Sequence, residues 1–154
     1  MVELLTSFDG RIRRGQYWLG IIVLVIAAVV VMAIVGVLFG DSFFGRFLTL
    51  LITLGLVYPW AALGAKRLAD RGQPPMPKLA IFLAPGILLT VIDTFRIGYR
   101  PVQGFPGADG MMMVPGTISM ILGVISLGVG IWALIELGIL KGDPEPNAYG
   151  PPPA

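Results

Sequence analysis

The chain has no cysteine and no histidine. The first absence excludes disulfides and thiol nucleophiles. The second removes imidazole bases and, together with the first, nearly every zinc or haem ligand set, which leaves carboxylates for hard metals. No cofactor, metal site or catalytic residue is therefore expected. Charge is also scarce, at 13% of 154 residues against 56% apolar, about half the charged share of an average soluble domain. A water-soluble fold of this size needs a polar outer surface, and there is too little polar material to build one. The net charge of +2 reflects few charges rather than a basic surface, so no nucleic-acid partner is expected.

What the chain does have is long apolar runs. From Gly15 to Gly40 there are 26 residues without a charge, more than the roughly 20 that cross a bilayer core as a helix and far longer than a signal-peptide core. Span one is placed at 17–39, after an arm (1–16) in which Phe8-Asp9-Gly10-Arg11 reads as a turn and Tyr17-Trp18 mark the interface. Span two, 47–65, contains Pro59, which predicts a kink with the freed carbonyl relieved by Thr53 or Gly55. Tyr58 and Trp60 repeat the aromatic belt. Span three, 79–95, is a marginal crossing, with a re-entrant segment as the alternative. Residues 96–116 read as an irregular extramembrane loop whose Met111-Met112-Met113 touches the interface. Span four covers 117–140, and the tail, 141–154, has five prolines and two glycines and reads as an extended strap.

Small residues recur at steps of four, as Ala28, Met32, Gly36 and Gly40 in span one and as Ser119–Gly123 and Ser126–Gly130 in span four. Such rows either make close-packing faces or reflect the tolerance of membrane helices for glycine. The fold class is an all-α integral membrane protein, a single four-helix bundle with short loops and an extended proline-rich tail.

The stretch Ala65–Lys78 forms an elbow between two apolar halves and holds Lys66, Arg67, Arg71 and Lys78. If both ends of the chain share its side, eight bases lie there, including Arg11, Arg13 and Arg14, against Arg46, Arg96 and Arg100 opposite. The positive-inside rule makes the first side cytosolic. A re-entrant third segment would give nine against two, so charge alone leaves the number of spans open. Asp70 lies three and four residues after Arg67 and Lys66 and is expected to pair with one of them, with Gly72 as the C-terminal cap. Glu136 is the one acid inside an apolar run and is expected to form an ion pair with a base of the arm or elbow; a proton or ion role is the alternative.

Three segments resemble the YhaH-like family of small bacterial inner-membrane proteins. They are Ser7–Arg14 with Tyr17-Trp18, Lys66–Gly72, and Glu136-Leu137-Gly138 with Lys141-Gly142 and Asn147–Pro151. The resemblance runs from Ser7 to Pro153 and implies four membrane helices with cytosolic termini; it implies no activity. Ala69 stands where the family's second motif has histidine, so chemistry by that residue is not available to this chain. The resemblance also implies that Tyr149 docks the tail against the bundle.

Three function classes follow. The first is a noncatalytic membrane module whose cytosolic face (Arg11, Arg13, Arg14, Lys66, Arg67, Asp70, Arg71, Glu136, Tyr149) contacts anionic lipid headgroups, a protein partner or a second copy of the chain. The second is a small transporter or channel subunit, for which the spans offer only Thr49, Thr53, Thr90, Ser119 and Ser126 as polar groups. The third, an intramembrane enzyme, lacks a visible nucleophile and base pair.

Overall fold

A computed structural model describes residues 2–104 and 110–153. After a one-turn helix α1 (Val2–Thr6), the chain turns at Gly10, whose φ of +85° suits a residue without Cβ. It then enters α2 (Arg14–Phe39), where the Gln16 side chain accepts the Arg13 backbone N–H at 3.1 Å. A short turn leads to α3 (Phe43–Ala69), whose Ser42 N-cap hydroxyl accepts the Gly45 N–H at 3.1 Å. Next come α4 (Lys78–Phe95), the strands β1 (Arg100–Gln103) and β2 (Met111–Val114), and α5 (Thr117–Ala133), which continues as a π-helix over Leu134–Ile139.

Four of these helices are long and apolar enough to cross a membrane. Apolar side chains cover their outer surfaces, with Val29 61% and Val124 72% exposed at mid-helix. The buried core lies off-centre instead, around Ile12, Tyr17, Leu63, Leu68, Leu79 and Leu137. That places it where the arm, the end of α3, the start of α4 and the π-helix meet. Consecutive helices pack in order, α2 on α3, α3 on α4 and α4 on α5, and the π-helix returns to α2 and α3.

Several expectations need correction. The loop after α4 is not wholly irregular: β1 and β2 pair antiparallel, with Val102 opposite Met112, while 105–109 lie outside the described residues. The strands show no alternating pattern because a two-stranded ribbon has no buried face to impose one, and Pro101 is tolerated because both strands are edges. Thr53 does not relieve the carbonyl freed by Pro59, since its hydroxyl donates to the Thr49 carbonyl at 2.8 Å. A helical threonine reaches one turn back, not forward.

The third apolar segment is one unbroken 18-residue helix. It is anchored at opposite ends of the bundle, by Leu79 against Gly64 and by Thr94 against Arg46. The glycines of the small-residue rows are not the close contacts, because a Cβ added at Gly36, Gly123 or Gly130 meets nothing within 4 Å, although Ser119 of the span-four row is buried. Close approach occurs at Gly20, Gly64 and Gly138, where an added Cβ would lie 2.7 Å from Leu63, 2.7 Å from Leu79 and 2.8 Å from Trp18. Spacing puts small residues on one helix face but does not choose that face's neighbour.

Candidate functional site

The elbow is shaped by the end of α3. The Gln73 N–H donates to the Leu68 carbonyl and the Gly72 N–H to the Ala69 carbonyl, both at 3.0 Å, with Gly72 at φ +64°. This is the paired-bond helix stop that requires a left-handed residue, which Gly72 supplies at no steric cost. It holds Asp70 against two guanidinium groups. Arg67, fully buried, pairs with Asp70 Oδ2, and Arg11 reaches Oδ1 at 3.2 Å from 59 residues away. Of the two bases expected for Asp70, Arg67 is the partner. Lys66 instead donates to the carbonyls of Glu3 (2.9 Å) and Leu4 (2.6 Å) in α1.

One carboxylate does not neutralise two arginines, and backbone carbonyls do the rest. Arg11 donates to the carbonyls of Glu145 (2.9 Å), Gly150 (3.0 Å) and Asp143 in the tail. Arg67 donates to Leu137 (2.7 Å) and Leu140. The last four carbonyls of any helix lack intrahelical partners and carry the negative end of its dipole. In the π-helix, those of Glu136 and Ile139 accept from Arg71 and Arg14, and that of Gly138 from the Trp18 indole, each at 3.1 Å. The elbow is thus rich in bases because the ends of α1, α3 and the π-helix converge there and the bases cap them.

Glu136 is buried and its Oε1 lies 2.6 Å from Arg71 and 2.7 Å from Lys78. The expected ion pair is present, and both its bases come from the elbow. The tail completes the cap: the Asp143 N–H donates to the Asp70 carbonyl (2.7 Å) and the Asn147 side chain to the Ala69 carbonyl (3.0 Å). Gly142 lies so close to the Asp70 carboxylate that an added Cβ would overlap it.

Of the residues singled out from the sequence, Arg11, Lys66, Arg67, Asp70, Arg71 and Glu136 enter this network. Arg13 and Arg14 stay exposed, although Arg14 caps Ile139. Tyr149 is half-buried in the turn from Asn147 to Gly150, held by its backbone N–H on the Asn147 side chain (2.9 Å). Sequence reasoning missed the capping role of Trp18, the tail ligands Asp143 and Asn147, and the π-helix. A signal for the π-helix exists in hindsight, because Glu136-Leu137-Gly138 sets a buried acid beside a glycine just before a helix end.

At the opposite end Asp41 clasps Arg46 (3.2 Å) and Arg96. The hydrogen bond from Arg96, joined by Arg46, holds the Asp41 carboxyl below its ordinary range. Burial, with a 2.8 Å hydrogen bond to Asp93, pushes the Tyr99 phenol up. Among the described residues no group of three or more carboxylates could hold a metal ion.

No curated protein and no solved structure matches the chain. A family model described as "Protein of unknown function (DUF805)" matches residues 5–151, which include most of the arm, the elbow, all four long helices and most of the tail, although it does not carry the YhaH-like name. The chain belongs to the DUF805 family.

Proposed function

We propose that this is a noncatalytic multi-pass protein of the bacterial inner membrane, of YhaH-like type, with arm, elbow and tail on the cytosolic side, where its exposed bases contact anionic lipid headgroups. The observation that supports the reading is the division of labour among the bases. Arg11, Lys66 and Arg67 are buried and spent on Asp70 and helix-end carbonyls, whereas Arg13, Arg14 and Lys141 are exposed around the same end. Exposed bases beside an anionic leaflet contribute about 1 kcal/mol each. The noncatalytic part of the reading draws on the engagement of the two buried carboxylates, Asp70 and Glu136, in ion pairs.

The test is retention of phosphatidylglycerol by the purified protein in native mass spectrometry as salt is raised. Retention should fall with salt, because charges exposed at a surface are screened within about 8 Å at physiological ionic strength. Replacing Arg13, Arg14 and Lys141 with Gln should lower it further, with thermal stability reduced only by the lost Arg14 bond to the Ile139 carbonyl, about 1 kcal/mol. Equal retention by wild type and triple variant sinks the headgroup reading. Protein capture that ignores lipid charge but is lost in the variant would replace it with a protein partner.

A further inference from the structure

Three cavities follow one another along a single face of α3. The first, about 350 Å³ at the end that carries the β1–β2 hairpin, is lined by Arg46, Thr49 and Thr53, by Thr90 and Asp93 of α4, and by Gly36 of α2. The second, about 310 Å³, shares Met32 and Thr53 with the first and adds Leu56, Trp60, Phe82 and Gly86. The third, about 240 Å³, shares Trp60 and Phe82 with the second and closes at Leu79 and Leu137 under the π-helix. Positions 46, 49, 53, 56, 60 and 64 of α3 are three or four apart and so share one stripe, the floor of a groove between α2 and α4.

The groove changes character along its length. Polar groups crowd its hairpin end and stop at Thr53; beyond it the lining is apolar and aromatic. A transport path needs polar groups to continue, whereas an amphiphile needs this gradient. The apolar part, from Thr53 to Gly64, is about 16 Å long at 1.5 Å per residue, close to one leaflet's half of the roughly 30 Å hydrocarbon core.

The polar end also specifies a headgroup. Arg46 and Asp93 line the same cavity without forming an ion pair with each other: Arg46 pairs with Asp41, and the Asp93 carboxylate accepts the Tyr99 hydroxyl. The hydroxyls of Thr49, Thr53, Thr90 and Thr94 each donate to the carbonyl four residues back, at 2.8–3.0 Å. Their protons are committed, so their oxygens are left as acceptors. One cation, one anion and a set of acceptors complement a zwitterion whose positive end carries N–H donors. A choline head has none to give, and a glycerol head brings no positive charge to Asp93.

We propose that the groove holds one phosphatidylethanolamine molecule from the hairpin-side leaflet, its phosphate on Arg46, its ammonium on Asp93 and one acyl chain running past Thr53 to Trp60 and Phe82. This site is separate from the headgroup contacts proposed for the elbow. Replacing Arg13, Arg14 and Lys141 leaves it untouched, so the two readings fail independently.

The experiment is native mass spectrometry of the full chain with phosphatidylethanolamine, phosphatidylcholine and phosphatidylglycerol of identical chains. The wild type is expected to retain one phosphatidylethanolamine about tenfold better than phosphatidylcholine, the ratio that one charge-assisted hydrogen bond supplies. A Cβ added at Gly36 or Gly86 meets nothing within 4 Å, and both line the groove, so Gly36→Leu and Gly86→Leu should fill groove space, keep helical circular dichroism and lose the lipid. Gly128→Leu, at an exposed position with equal room, should retain it. Asp93→Asn should erase the preference over phosphatidylcholine. Equal retention of the three lipids by wild type, or undiminished retention by Gly86→Leu, overturns the proposal. So does a lipid-free mass of two chains, which would give the groove to a second copy.

Discussion

Asp70 carries more of the elbow than any other side chain, because two arginines with side chains 1% and 0% exposed depend on its single charge. Buried ion pairs add little net stability when intact, but removing one partner leaves an uncompensated charge in a low dielectric and costs about 3–5 kcal/mol. Asp70→Asn keeps the shape and deletes the charge. It should therefore lower the thermal stability of the detergent-solubilised protein strongly, while Asp9→Asn, at an exposed site, should not. Matching unfolding temperatures for the two variants would show that the carbonyls alone satisfy Arg11 and Arg67.

Among the elements, the π-helix at Leu134–Ile139 gives the site its form. It is closed by the Leu140 N–H on the Ile135 carbonyl at 3.0 Å, and its last four carbonyls, from Glu136 to Ile139, accept in turn from Arg71, Arg67, Trp18 and Arg14. Gly138 is required there because the Trp18 ring occupies the place of a Cβ. Gly138→Ala should cost about 1–3 kcal/mol by overpacking. Adding Trp18→Phe, which shortens the ring, should recover part of that loss in a double-mutant cycle. Additive losses would show that the ring and the glycine act separately.

For the whole molecule, the ion network binds residues 11, 70 and 143 into one end, so arm, elbow and tail must share a side. With no native cysteine, single cysteines at Asp9, Met76, Gln103 and Pro152 report that side through an impermeant thiol reagent applied to intact cells. Only the Gln103 variant should react. Reaction of the Pro152 variant from outside would overturn the proposed orientation.

The four long helices were legible in the sequence because uncharged runs in a charge-poor chain leave the backbone few ways to satisfy its hydrogen bonds in oil. The stop at Gly72 was legible too, since a left-handed helix end is a local requirement. The partners were not. Asp70 stands beside Arg67 in the chain, but Arg11 reaches it across 59 residues, and Glu136 takes Lys78 and Arg71 across 58 and 65. Local spacing carries no record of such distances. Which bases face water and which cap helix ends, and which threonines share a cavity, depends on how the helix ends converge in space, and only the tertiary structure decides that.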